Sequence, residues 1–299
     1  MKKDPKAYLS LIFICIVWGT TYLAARVGVK DFPPFLFMGM RQLAASLILF
    51  LLVFLMGKKP LLQWSLLKQQ IVPGLCMITF GNGIVAWSVQ YIPSGIAALI
   101  CSMIPLYVIL LNLTLKRKEK LNWQILLGTC FGLLGILVIF KNHLAELRNK
   151  EYLAGMLITI ASCISWALGT IYTQRNKSKS EPLVNASLQL FIGGSGLLLL
   201  SLMFERNAEL PPLSTQAFFA WVYLVLIGSV AAFGAYLYAL SKLPVGLVTI
   251  YAYVNPIVAV LLGFFILQEA ITLYTIVAAG VIVSGVYLVN KGYRVQSKN

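Results

Sequence analysis

The chain has 299 residues, of which 60% are apolar and only 11% are charged, and its mean hydropathy is +0.86. This composition excludes an ordinary water-soluble globular domain and predicts an all-α integral membrane protein. The net charge of +15 is no argument for a nucleic-acid partner, because membrane proteins carry their excess Lys and Arg in cytoplasmic loops.

Ten apolar segments follow one another, each close to the roughly 20 residues that a helix needs to cross a lipid bilayer. The predicted transmembrane spans are 8–28, 35–56, 69–90, 94–114, 121–140, 153–175, 182–204, 216–239, 246–267 and 271–290. The short connections contain Pro, Gly, Lys and Asn, which is typical of turns between antiparallel helices. No loop is large enough to hold an enzyme domain.

The distribution of the 24 Lys and Arg residues predicts the orientation of the chain. With a cytoplasmic N-terminus, seventeen of them fall in cytoplasmic segments and five fall on the opposite side, while Arg26 and Arg41 lie within spans. Because positive residues accumulate on the cytoplasmic side of a membrane, we expect both termini to be cytoplasmic.

Residues 1–145 and 146–299 are predicted to be two copies of one five-helix unit, offset by about 150 residues. In this alignment Trp18 falls on Trp166, Arg41 on Gln189 and Pro105 on Pro256. Since five is odd, the second copy enters the bilayer in the opposite sense, and the two units form an inverted repeat. Such units can exchange conformations, which predicts alternating access to a pathway between them.

These features resemble the drug/metabolite transporter superfamily, specifically its EamA-type ten-helix exporters. The resemblance covers nearly the whole chain. It implies efflux of amino acids, related metabolites or drugs across the inner membrane from a cavity between the halves. The residues that carry it are Trp18-Gly19-Thr20, the Arg41/Gln189 pair, the Pro93-x-Gly95 and Pro244-x-Gly246 turns, Pro105, Pro256, Glu119 and Glu269.

Two prolines near the middle of spans four and nine, Pro105 and Pro256, each release the backbone carbonyl four residues earlier. We expect hinges or kinks that bend these helices around the substrate cavity. The alternative is a packed kink that neighbouring hydroxyl groups or water repair.

Aromatic and polar side chains within the spans are the candidates for binding substrate. Trp18 and Trp166 lie too far from the span ends to belong to an interfacial aromatic belt, so they either stack on a substrate or pack internally. Trp87 lines the outer cavity or belongs to the belt. Further candidates for the cavity wall are Thr21, Asn82, Tyr236, Tyr253 and Asn255.

Arg41 is the most costly side chain in the predicted hydrocarbon region, because a cation there needs an anion, carbonyl groups or water. Its partner is Asp31, backbone carbonyls or an anionic substrate group. The alternative is a structural tie, since its repeat mate Gln189 is neutral. No Asp or Glu falls inside a span, so the sequence offers no carboxylate proton relay and predicts a neutral or zwitterionic substrate.

The sequence thus predicts a secondary transporter that exports a small amino-acid-like metabolite or a drug by alternating access, with no catalytic residue, metal or cofactor. The rival classes are an integral-membrane enzyme of lipid or isoprenoid metabolism and a non-transporting scaffold. Small-residue pairs at Gly128/Gly132 and Gly280/Ser284 allow close helix contact, either within the chain or in a homodimer. The five cysteines, all inside spans, are interpreted as small hydrophobic residues.

Overall fold

The structure, a computed structural model, describes residues 4–30, 32–57, 64–114, 122–142, 148–176, 178, 180–208, 212, 214–243, 248, 251–268 and 270–296. Side chains at 109, 112–114, 136, 139–142, 253, 286, 290, 293–294 and 296 lie outside this description. Every regular element in the described ranges is helical, which confirms the predicted all-α class.

The helices follow the predicted spans in order, with ends that differ by a few residues. Their bounds are α1 (Pro5–Val29), α2 (Pro34–Leu55), α3 (Trp64–Ser88), α4a (Ser94–Cys101), α4b (Ile104–Thr114), α5 (Trp123–Asn142), α6 (Lys150–Arg175), α7 (Pro182–Phe204), α8 (Thr215–Lys242), α9 (Tyr251–Leu267) and α10 (Leu273–Gln296).

Six of these helices, α1, α2, α3, α6, α7 and α8, are long and apolar enough to cross a membrane. Large apolar side chains cover the outside of the bundle: Leu202 is 67% exposed and Phe265 is 73% exposed. A water-soluble protein would bury such side chains, whereas lipid solvates them. The chain is therefore a multi-pass membrane protein.

Two helices contain a π-helical stretch, Gly74–Gly83 in α3 and Leu224–Ala231 in α8. A π-helical turn leaves the ordinary pattern of backbone hydrogen bonds and is common at functional sites. Sequence analysis did not predict either stretch. They lie at equivalent places in the two predicted repeats.

The fourth predicted span, 94–114, is interrupted rather than smoothly bent. α4a ends at Cys101, a turn follows at Ser102 and Met103, and α4b begins at Ile104. Pro105 therefore lies in the first turn of a new helix, where the missing backbone N–H costs little. Pro256, in contrast, lies inside the continuous helix α9.

Helices of the first half pack on helices of the second half in a reciprocal pattern. α1 packs against α8 and α9, and α6 packs against α3, α4a and α4b. The remaining helices form two pairs, α2 with α7 and α5 with α10. The interior of the bundle thus lies between the two halves.

Glycines allow α5 and α10 to meet backbone to backbone. A Cβ atom at Gly285 would lie 2.7 Å from the carbonyl oxygen of Gly128 and 2.8 Å from the nitrogen of Gly132. The Gly128/Gly132 surface is therefore used for packing within the chain. A Cβ atom at Gly280 would meet no atom within 4 Å, and a homodimer through that surface stays a prediction.

Side-chain caps hold several helix ends. Asn122 Oδ1 accepts from the Ile125 nitrogen at 2.9 Å at the start of α5, and Thr272 Oγ1 accepts from the Thr275 nitrogen at 3.2 Å at the start of α10. The neighbouring Glu119 and Glu269 lie outside the described residues. The carboxylate of Glu205, at the end of α7, accepts from the nitrogens of Phe35 (2.8 Å) and Leu36 (2.9 Å) at the start of α2.

Candidate functional site

A central cavity of about 830 Å³, counted with its opening, lies between the two halves of the bundle. Its walls come from α1, α3, α4a, α4b, α6, α8 and α9, and also from α2 and α7, which contribute Met38, Arg41, Gln42 and Leu190. Six of the predicted residues line the cavity: Trp18, Thr21, Arg41, Asn82, Trp166 and Asn255.

Trp18 of α1 and Trp166 of α6 form an aromatic wall where the two halves meet. Their ring centroids lie 5.7 Å apart and their planes are nearly perpendicular, at 89°. Tyr251 makes a second edge-to-face contact with Trp18 at 4.9 Å. Edge-to-face pairs of this kind stabilise one another beyond the area that they bury. The wall offers an aromatic surface to a ligand.

Arg41 is held in the cavity wall by neutral groups. It is 3% exposed, and its Nε donates to the Leu224 carbonyl at 3.2 Å and to Ser229 Oγ at 3.0 Å. Its Nη1 donates to Asn82 Oδ1 at 3.4 Å and contacts Met38 Sδ at 3.6 Å. Of the partners expected from the sequence, the structure thus brings a backbone carbonyl to Arg41, while Asp31 lies outside the described residues.

Gln42 completes a network across α2, α3 and α8. Its Nε2 donates to Asn82 Oδ1 at 3.0 Å, and its Oε1 accepts from Ser229 Oγ at 2.9 Å. Arg41, Gln42, Asn82 and Ser229 therefore form one set of hydrogen bonds, which we call the Arg41 network. In a dry interior such linked hydrogen bonds restrict the orientation of the side chains that make them.

Carboxylates among the described residues lie away from the Arg41 network. Asp4 accepts from the Tyr238 hydroxyl at 3.0 Å, and Glu205 caps α2. Glu151 lies in the first turn of α6, and Glu181 precedes α7. Within the described part of the chain, the guanidinium of Arg41 consequently has no carboxylate partner, and the cavity wall carries a positive charge.

Both π-helical stretches border the cavity and offer backbone carbonyls to the other half. Trp18 Nε1 donates to the Gly228 carbonyl at 3.4 Å, and Ser165 Oγ donates to the Cys76 carbonyl at 2.8 Å. Each contact joins the first helix of one half to the π-helical stretch of the other. The stretches thus expose backbone groups where the halves meet.

Asn255 lies directly before Pro256 and ties α9 to α1. In the amide orientation that satisfies both groups, its nitrogen donates to the carbonyl oxygens of Cys15 (2.9 Å) and Tyr251 (3.0 Å). Close packing supports the contact, because a Cβ atom at Gly19 would lie 3.1 Å from the Asn255 carbonyl oxygen. A polar side chain thus satisfies backbone groups beside the proline.

Two predicted residues, Trp87 and Tyr236, do not join the cavity lining. Trp87 packs against Phe35 and Tyr91, each with ring centroids 5.7 Å away. Tyr236 lies behind the wall, 5.0 Å from Trp18, and its hydroxyl lies 3.1 Å from Thr170 Oγ1. The side chain of Tyr253 lies outside the described part of the chain.

Sequence analysis missed Gln42, Ser229 and a cysteine pair among the lining residues. Gln42 stands beside Arg41 in an apolar span, so its polarity was a usable signal. Cys101 and Cys163, interpreted as small hydrophobic residues, both line the cavity with their Sγ atoms 3.3 Å apart. They belong to opposite halves, and no spacing in the sequence relates them.

Known proteins are similar in sequence to nearly the whole of this chain. The model of the EamA-like transporter family matches twice, over residues 5–141 and 153–291. The "Uncharacterized inner membrane transporter YedA" of Escherichia coli (strain K12) is 35% identical over 286 residues, which are 95% of this chain and 90% of that protein. The "Uncharacterized transporter YoaV" of Bacillus subtilis (strain 168) is 26% identical over 95% of this chain and 96% of its own length.

A solved crystal structure has the same fold, with a TM-score of 0.69 at 20% sequence identity, over 96% of this chain and 98% of the other. At this identity the likeness concerns the fold alone. The family model, in contrast, covers most of the sequence in two matches. The chain therefore belongs to the EamA-like transporter family.

Proposed function

We propose that this transporter moves a small neutral or zwitterionic metabolite, amino-acid-like or drug-like, by alternating access through the central cavity. The observation that carries the proposal is the cavity itself, which draws aromatic and polar side chains from both halves. A concave site that is mostly apolar, with a few fixed polar groups, is typical of small-molecule binding. The direction, export across the inner membrane, rests on the family resemblance.

Several features support ten spans arranged as two inverted five-helix repeats, with units at 1–145 and 146–299. The family model matches once in each half. A two-fold axis that relates the halves would pair α2 with α7 and α5 with α10, and would relate the contacts of α1 to those of α6. The observed packing has this pattern. The two π-helical stretches are equivalent under the same operation.

The position of the cavity supports a state that is open to the outside. Its lining includes residues from Trp18 to Ala25 on α1 and from Ile78 to Val89 on α3. These residues lie in the C-terminal halves of the two helices. With both termini cytoplasmic, these halves face the periplasm. Toward the cytoplasm, Tyr236 and Tyr251 pack behind Trp18.

Transport by the purified protein in liposomes tests the proposal. Liposomes that contain the protein would be loaded with a defined mixture of amino acids and related metabolites. Mass spectrometry of the released solutes would compare them with loaded liposomes that lack the protein. We expect protein-dependent release of at least one of these solutes. Trp18→Ala and Trp166→Ala should slow that release, because both remove the aromatic wall.

Trp123→Ala is the matched control, since Trp123 lies at the start of α5 with 66% of its surface exposed and away from the cavity. It should keep the wild-type rate. Release that is equal in all three variants would assign the two cavity tryptophans to packing. Absence of protein-dependent movement of every solute would contradict the proposal.

A further inference from the structure

We infer that the transported molecule carries a carboxylate, which binds Arg41, and an apolar or aromatic body, which lies against Trp18 and Trp166. The inference rests on the proposed function and changes its substrate class: zwitterionic amino acids stay in it, neutral molecules without a carboxylate leave it, and anionic organic carboxylates enter it. It starts from the incomplete bonding of the most deeply buried cation described in the cavity.

A guanidinium group has five N–H donors. In Arg41 the Nε hydrogen is shared by Leu224 and Ser229, and Nη1 reaches Asn82 and Met38. Among the described residues, Nη2 has no hydrogen-bond acceptor. It lies beside the cavity-lining Gly228, where an added Cβ atom would be 3.1 Å from it. The free donors are therefore at the cavity wall.

The missing partner is an anion rather than another neutral group. Every described contact of Arg41 is neutral, and a buried cation without an anion is costly in a membrane interior. A carboxylate that enters the cavity would supply the opposite charge and accept from the two free N–H groups of Nη2, and such charge-assisted hydrogen bonds are stronger than neutral ones. Binding would thus replace the water that Arg41 otherwise needs.

The surroundings of Arg41 determine the rest of the ligand. Trp18 donates to the carbonyl of Gly228, the same residue that borders Nη2. Gly228 therefore contacts both the aromatic wall and the Arg41 guanidinium, so these two groups lie side by side. A small inorganic anion would leave the wall uncovered, whereas a carboxylate with an apolar body fills both parts of the cavity. The lining has no described carboxylate for an amine, although aromatic faces attract cations.

Four molecules with the same phenylpropyl body test the inference: 3-phenylpropionate, its amide, 3-phenylpropylamine and L-phenylalanine. In liposomes that contain the wild-type protein, each molecule would compete with the solute that the mixture experiment identifies. Calorimetric titration of detergent-purified protein would measure the affinity of each molecule directly. We expect the acid and the amino acid to bind. The amide and the amine should bind about 10- to 100-fold more weakly.

Arg41→Gln, which copies the natural residue of the repeat mate Gln189, should abolish the preference for the acid, and Arg41→Lys should retain part of it. Arg26→Gln is the matched control, because the Arg26 guanidinium donates to the Ile92 carbonyl at 2.7 Å and lies outside the cavity lining. It should keep the preference. The series on the wild-type protein keeps the test valid if Arg41→Gln does not fold.

Equal binding of acid and amide, or an unchanged preference in folded Arg41→Gln, would overturn the inference and make Arg41 a structural tie. Displacement of the acid by inorganic phosphate or chloride at matching concentrations would indicate an inorganic-anion site and would also overturn it. Failure of the proposed function looks different: the acid would bind through Arg41, but no solute would cross the membrane.

Discussion

Ser229→Ala is the sharpest test of the Arg41 network, because it removes one oxygen and leaves the packing nearly unchanged. Ser229 Oγ accepts from Arg41 Nε at 3.0 Å and donates to Gln42 Oε1 at 2.9 Å. The variant leaves Gln42 Oε1 without this donor, and Arg41 Nε keeps only the Leu224 carbonyl at 3.2 Å.

The expected loss of stability follows from these two bonds. A buried polar group that loses its partner costs about 1–3 kcal/mol, while single side-chain hydrogen bonds in membrane proteins reach at most about 1.7 kcal/mol. We therefore expect Ser229→Ala to lower the free energy of unfolding by about 1–2 kcal/mol. Ser162→Ala is the matched control: Ser162 is a buried cavity serine whose Oγ donates to Ile158 of its own helix at 2.9 Å. It should cost less than about 0.5 kcal/mol.

Reversible unfolding in mixed micelles, followed by circular dichroism, measures both variants. A double-mutant cycle with Gln42→Leu isolates the pair and should give a coupling of at least about 0.5 kcal/mol. If Ser229→Ala costs no more than Ser162→Ala, or if the cycle is additive, the hydrogen bonds of the Arg41 network do not stabilise the folded protein.

Three further predictions concern contacts between the halves. Mild oxidation with diamide should form a disulfide between Cys101 and Cys163, because their Sγ atoms lie 3.3 Å apart. The disulfide should slow transport, since it joins α4a to α6. Peptide mass spectrometry that finds only free thiols would refute the contact. Gly285→Ala should destabilise the protein by about 1–3 kcal/mol, because its Cβ atom would lie 2.7 Å from the Gly128 carbonyl oxygen; thermal unfolding should show no such loss for the control Gly280→Ala. Glu205→Ala should cost about 1 kcal/mol, since it removes the cap from Phe35 and Leu36, and unfolding equal to that of wild type would contradict this role.

The candidate site was partly predictable, because some residues are costly in lipid whatever surrounds them. Trp18, Arg41, Asn82 and Trp166 stand out in apolar spans, and all four line the cavity. Trp87 also stands out in an apolar span, yet it packs against Phe35 and Tyr91. A position near a span end does not tell which neighbours the folded bundle brings to it.

Partners across the bundle could not be predicted. Arg41 meets Leu224 and Ser229, which follow it by 183 and 188 residues, and Cys101 meets Cys163 in the other half. Such pairs depend on how α2 docks on α8 and how α4a docks on α6. The two π-helical stretches could not be predicted from composition either, since their residues are as apolar as those of the helices around them.

By itself, the sequence determined that the chain is helical and membrane-embedded, because lipid leaves the backbone no other hydrogen-bond partners than its own. It also showed which side chains are too polar for lipid. Only the tertiary structure decided which of them share a cavity, which carbonyls hold Arg41 and which glycines are covered. The physical reason is that lipid and protein interior are both apolar, so hydrophobicity specifies that a segment spans the membrane but not which face meets another helix.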